Sequence, residues 1–281
     1  MMTTMEPNTI PTTPDSEEHL EEPSNEELRA ISRRSAIKLL GGAGLALIAA
    51  CAADPIGATT TAALSGSSST AGTAATTAPT FGGDGSCVLT PEETEGPYPL
   101  DLSGSEEFLR SDIAEGHPGV PLTLTLSLVD VNAGCAPIPG ARVDVWHCDA
   151  DGVYSGYSQP GTDTTAETFC RGIQVSDDNG QVTFQTIYPG WYQGRITHIH
   201  FQVFLESGLA ATSQIAFPEE ITAAVYAVDP YAAKGPNTSV TSFAQDNVFS
   251  DGTQYQMATV TGGADARYVA TMLVGVAGGT N

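Results

Sequence analysis

The sequence predicts an all-β fold, a β-sandwich with little helix, on three observations. Leu122, Leu124, Leu126 and Leu128 alternate with Thr123, Thr125 and Ser127, the period of a strand with one buried face. Turn signals such as Pro139-Gly140 and Asp178-Asn179-Gly180 punctuate further candidate strands at 141–148, 180–187, 196–205, 254–260 and 268–274. Long helical periodicity is absent, and only 218–226 suits a short helix. Many short strands separated by turns favour a sandwich over a βαβ fold. Neither a Gly-rich phosphate loop nor an internal repeat is present.

Charge narrows the function classes. The 281 residues carry 33 Asp and Glu against 10 Lys and Arg, a net charge of −23, with only two lysines, Lys38 and Lys234. Without a basic stripe there is nothing to displace counterions from phosphates, so nucleic acid is excluded as a partner. The same deficit argues against adhesion to an anionic membrane surface.

The chain divides at composition shifts. Residues 1–30 hold eight acidic side chains and one arginine without apolar pattern and read as a disordered leader. Residues 31–51 read as an export signal: Arg33-Arg34 precede an uncharged run from Leu39 to Ala50, and these twelve residues are too few to span a bilayer. The paired arginines suit the twin-arginine route, which carries folded cargo. The run ends Leu47-Ile48-Ala49-Ala50-Cys51, similar to a lipobox, so Cys51 is the expected lipidation site and the product is expected at the cell surface or in the periplasm. Residues 52–86 read as a flexible Ser/Thr/Ala/Gly linker, and 87–281 as the folded domain. Four cysteines fall in that domain, Cys87, Cys135, Cys148 and Cys170. An even count in an exported domain predicts two disulfides. Cys148 with Cys170 is the expected pair, since they flank one β-rich segment; no C-x-x-C spacing supports zinc instead.

The chemistry concentrates in Tyr188-Pro189-Gly190-Trp191-Tyr192-Gln193-Gly194-Arg195-Ile196-Thr197-His198-Ile199-His200. Residues two apart on a strand share a face, so His198 and His200 can address one ion. His-x-His alone admits zinc, copper or iron. No H-E-x-x-H motif occurs, which disfavours a metalloprotease. Tyrosine is the remaining ligand type, and a phenolate is a hard donor suited to a trivalent ion, as in tyrosine-ligated haem iron. Two phenolates, two neutral imidazoles and a hydroxide would neutralise Fe(III).

Trp146-His147-Cys148-Asp149-Ala150-Asp151-Gly152-Val153-Tyr154, then Pro189-Gly190-Trp191-Tyr192, Arg195, His198 and His200, resemble the intradiol ring-cleavage dioxygenases. Thr94-Glu95-Gly96-Pro97-Tyr98 and Thr212-Ser213-Gln214 with Phe217 extend the likeness from about Cys87 to Phe217. The resemblance implies a β-sandwich holding non-haem Fe(III) and inserting both atoms of O2 into a catechol-type ring between its hydroxyls, giving a cis,cis-muconate-type diacid. It implies Tyr154 and Tyr192 as equatorial and axial tyrosinates, His198 and His200 as axial and equatorial imidazoles. Arg195 is then the arginine beside the substrate ring, Gln214 a pocket glutamine and Tyr98 a residue of the pocket edge. Trp146 reads as core. Protocatechuate would need a basic group for its carboxylate, and Arg110, Arg142 and Arg171 are the candidates, so a neutral catechol is expected. Two other readings stand beside this one: a catalytically silent cell-surface β-sandwich binding module, and a secreted copper or zinc protein using His198 and His200 alone. The sequence leaves the oligomeric state open.

Overall fold

A computed structural model describes residues 87–278; the leader, the signal with Cys51 and the linker lie outside the described residues. The described residues form β1 (Pro121–Asp130), β2 (Ala136–Pro137), β3 (Arg142–Trp146), β4 (Ser158–Gln159), β5 (Thr162–Asp163), β6 (Arg171–Val175), β7 (Gln181–Ile187), β8 (His198–Leu205), β9 (Gly208–Ala216), a short helix α1 (Glu219–Val225), β10 (Thr259–Gly263) and β11 (Arg267–Val276). The fold is an all-β sandwich with little helix, as expected. One sheet runs β10-β11-β1-β2, with β7 also paired to β1; the other runs β6-β3-β8-β9; β4 and β5 form a small ribbon.

The leucine alternation behaves as its period requires. Leu122, Leu124, Leu126 and Leu128 are fully buried and share a core with Val143, Val145, Ile199, Phe201, Val203 and Ile215 of the facing sheet. Each such side chain removed from water contributes roughly 1.5–3 kcal/mol, so this inter-sheet layer dominates stability. Along β8 every residue from His198 to Phe201 is buried, whereas Gln202 and Phe204 are only partly so. Ile199, Phe201 and Val203 belong to the inter-sheet core. By alternation His198 and His200 point away from it, and something other than the second sheet must cover them.

Part of that cover is the segment 87–98. Thr90 N–H donates to Gly275 O (2.9 Å) and Gly275 N–H to Thr90 Oγ1 (3.0 Å), fixing it to β11. Glu93 N–H donates to Thr212 O (2.9 Å) and Ser213 Oγ–H to Pro91 O (2.6 Å), fixing it to β9. A Cys87–Cys135 disulfide anchors its start, with Cα atoms 5.6 Å apart.

That bond corrects the expected pairing: Cys148 and Cys170 are free and buried. Trp146 on β3 faces Arg171 on β6, and His147 N–H donates to Cys170 O (3.1 Å), so the two cysteines are offset by one position. They pack apart, Cys148 with Trp146 and Tyr154, Cys170 with Phe169 and Ile187. Residues 254–260 also differ from expectation: the strand starts only at Thr259. The apparent alternation before it is a turn in which the buried Gln256 side chain donates to Glu93 Oε1 (3.0 Å) while Ala258 N–H donates to Ala216 O (2.9 Å). β6 and β9 are strands that the sequence pattern does not announce.

Candidate metal centre

The four-stranded sheet presents one cross-strand row away from the core. Arg171 faces Trp146, Trp146 faces His200, and His200 faces Gln214. His198 lies two residues from His200 on the same side, so their imidazoles converge, with Nε2 atoms 3.0 Å apart. His198 is held by the Ile196 carbonyl, which lies 2.6 Å from Nδ1. A carbonyl only accepts, so Nδ1 carries the hydrogen and Nε2 keeps its lone pair. His200 is oriented by stacking: the Trp146 indole lies parallel to it at 5.0 Å between centroids.

Two turns bring tyrosines to the same point. Tyr154 follows β3 and is fully buried; its carbonyl accepts from Gln159 Nε2 and Thr164 Oγ1, each at 2.6 Å. Tyr192 comes from the turn before β8. The turns touch where Gly152, at φ +83°, leaves room for the Trp191 carbonyl that a Cβ would strike. Lys234 Nζ bridges them by donating to Asp151 O and Trp191 O, each at 2.5 Å. The phenolic oxygens then lie near His198 Nε2, Tyr154 at 3.5 Å and Tyr192 at 3.3 Å.

The electrostatics of this cluster suit a cation. Burial, then the Arg195 charge, hold His198 and His200 well below the usual imidazole range, so both are neutral donors. Burial, then the neighbouring Tyr192, push Tyr154 well above the usual phenol range. Burial raises Tyr192 to about 12, with Arg195 pulling the other way. The cluster therefore favours proton-bearing phenols until a strongly charged ion displaces those protons. Two imidazole nitrogens meeting at 3.0 Å beside two phenols make a poor hydrogen-bond network, and His200 Nδ1 is buried without a partner. As a donor set for a hard trivalent ion they fit. No three His, Cys, Asp or Glu side chains among the described residues converge to hold a metal, so the phenols are needed to complete a site. His147 is spent elsewhere, on Cys148 O and Thr186 Oγ1 at 2.8 Å each, and burial lowers it to about 4.

Around the tetrad, Arg195 is buried and its Nη2 donates to Gln214 Oε1 (2.6 Å). Gln214 Nε2 in turn donates to Thr94 O (2.9 Å). Gly96, at φ +75°, lies so close to the His200 ring that a Cβ would sit 2.8 Å from Cε1. Tyr98 packs half-buried at 4.8 Å from the Tyr154 ring. All seven residues singled out for metal, catalysis and pocket are thus gathered at one place. Sequence reasoning missed Asp246, which accepts from Arg195 Nε at 3.0 Å, the stacking task of Trp146, and Lys234. Asp246 sits in no motif, and no local signal announces it.

The chain is similar to known dioxygenases. The profile of the family described as Dioxygenase matches residues 95–256. A catechol 1,2-dioxygenase of Acinetobacter baylyi is 29% identical over 147 residues, 45% of each chain. One from a Pseudomonas species is 32% identical over 104 residues, 37% of this chain and 32% of the other. The chain thus spans less than half the length of these curated relatives. Among solved structures, an intradiol ring-cleavage dioxygenase from Tetranychus urticae is 31% identical with a TM-score of 0.60, covering 68% of this chain and 95% of that one.

Proposed function

The chain belongs to the intradiol ring-cleavage dioxygenase family, and on that premise we propose that it cleaves a neutral catechol between its hydroxyls with non-haem Fe(III). Both oxygen atoms of O2 remain in the product, a cis,cis-muconate-type diacid, so atoms balance without a further reductant. The observation that carries the reading is the convergence of four side chains: the donor atoms of Tyr154, Tyr192 and His200 stand 3.0–3.5 Å from His198 Nε2. These four would hold the ion. When bound, it supplies Lewis-acid activation of the deprotonated catechol towards O2.

The chain's own residues divide the remaining work. Tyr192 is half-buried where Tyr154 is sealed, and the Arg195 charge favours its phenolate against the effect of burial. It is therefore the group placed to take a catechol proton at Oη, while Tyr154 stays fixed. Arg195 offers a preorganised positive charge to the negative charge that develops on the ring, an arrangement whose loss typically costs ~10²–10³ in rate. Gln214 steadies that charge, and Tyr98 closes the pocket on the side of Tyr154.

A ring without a carboxylate is favoured because, among the described residues, the basic side chains other than Arg195 are committed. Arg110 pairs with Glu115 (2.5 Å) and Arg142 with Asp144 (2.6 Å). Arg171 is spent on the Ser155 carbonyl (2.8 Å), Lys234 on two carbonyls, and Arg267 on the Gln185 side chain. Action after export by the twin-arginine route, from a lipid anchor on Cys51, is part of the proposal; the Cys87–Cys135 disulfide suits an oxidising compartment.

The test is colour. Full-length protein loaded with ferric iron is expected to show a broad visible tyrosinate band that shifts on adding catechol without air, and to consume one O2 per ring in air. Tyr154→Phe is expected to lose the band. A colourless protein that takes up no ferric iron would overturn the reading and leave a silent binding module.

A further inference from the structure

Arg195 is an awkward residue to bury: a fixed charge, 7% exposed, beside two neutral imidazoles that its field disfavours protonating. Its side chain must be aimed as well as neutralised. Asp246 does both. It is fully buried between two 3-10 turns, Phe243–Gln245 and Phe249–Asp251. Its Oδ2 accepts from Arg195 Nε (3.0 Å) and from Ile196 N–H (2.7 Å), the peptide next to the arginine. Its Oδ1 accepts from Val248 N–H (2.8 Å) and Phe249 N–H (3.2 Å). Three peptide donors therefore lock the carboxylate, so it cannot turn to follow a moving guanidinium.

The guanidinium is gripped from the other side too, where Nη2 donates to Gln214 Oε1 and the Phe249 ring stands 5.8 Å from Cζ. Asp246 thus holds Nε and Gln214 holds Nη2, which leaves Nη1 as the guanidinium nitrogen that neither touches. Resting on the proposed function of this site, we infer that Asp246 is the positioning residue of ring cleavage. It fixes Arg195 so that one edge of the guanidinium faces the substrate ring as charge develops. A preorganised charge accelerates a reaction only when no reorientation is needed at the moment of reaction. Asp246 supplies that rigidity from 51 residues away.

The experiment is a double-mutant cycle on the full-length, iron-loaded protein with Asp246→Asn, Arg195→Ala and the pair. Asp246→Asn is expected to lower kcat ~10–100-fold, with KM and the affinity for a nitrated, slowly cleaved catechol changed less than about threefold, and iron content unchanged. In the Arg195→Ala background the Asp246 substitution is expected to cost nothing further in kcat, because its effect passes through the arginine. Equal losses in both backgrounds would overturn the inference by marking Asp246 as only structural, and so would an unchanged kcat in the single variant. Should Asp246→Asn not fold, Arg195→Lys decides: it keeps the charge but has no Nε to be held, so it is expected to match Arg195→Ala, and near-normal kcat would refute the positioning role. A wild-type protein without iron or visible band overturns the site reading and this inference together, whereas a coloured, active wild type with an indifferent Asp246 overturns the inference alone.

Discussion

The two faces of β8 are made by one stretch of chain and do different work. Ile199, Phe201 and Val203 enter the inter-sheet core; His198 and His200, one residue away from each, join two tyrosines on the opposite side. The apolar face fixes the strand so firmly that the other can carry neutral imidazoles and a buried arginine, groups whose burial costs stability by themselves. A period of two lets one strand be scaffold and site, with the error in one transmitted to the other by no more than a single residue.

The comparison breaks most sharply when neighbouring residues are changed. His200→Ala is expected to abolish iron uptake, colour and activity while leaving the melting temperature within a few degrees. Phe201→Ala should do the reverse per folded molecule, costing ~3–5 kcal/mol in a denaturant titration while the folded fraction keeps its iron. Replacing Cys87 and Cys135 together by Ser should cost about 2–4 kcal/mol in the same titration, by loosening the start of the segment that covers the histidine face. Trp146→Leu sits between the faces. It removes the plate that aligns His200, and iron affinity should fall ~10–100-fold, as when outer partners of ligating histidines are lost.

The smallest effect concerns pH. Burial, opposed by the hydrogen bond from Gln256, raises Glu93 from 4.5 to about 7, with Asp251 and Asp246 raising it further and Arg195 lowering it. Between those two pH values the folded carboxyl keeps a proton that the unfolded chain has released, so this group's contribution to stability falls as pH rises from 4.5 to 7. Glu93→Gln should flatten that slope, which urea titrations of mutant and wild type across the range would reveal.

Much of this molecule could be read in advance where chemistry and periodicity agree. The leucines of β1 and the His-x-His of β8 announce a face each, because alternation and residue type point the same way. Tyr154 and Tyr192 were legible only through the family resemblance, since isolated turn tyrosines look alike whether they bind metal or pack. β9 was missed because its start, Gly208-Leu209-Ala210-Ala211-Thr212-Ser213, shows no clean apolar alternation: Leu209 is exposed and the amino-terminal segment covers Thr212 and Ser213. The cysteine pairing went wrong for a related reason: spacing carries no information about a partner 48 residues away. Asp246 was silent for the same cause, a carboxylate whose only clue is the arginine it meets in three dimensions.

The placement of β11 has a consequence for how the domain folds. β11 does not close an edge; it lies parallel to β1 over nine residue pairs, from Leu122 with Tyr268 to Asp130 with Val276, between β10 and β1. Its inward residues Ala270, Met272 and Val274 complete the core that β1 begins. Until β11 has paired, one sheet lacks an inner strand, and β1 waits beside its antiparallel partner β7 with one side open. Pairing of such distant segments is slow, and the waiting strand edge is a template for other chains. A chain in which β1 and β7 have paired but β11 has not is therefore the folding species most prone to aggregate.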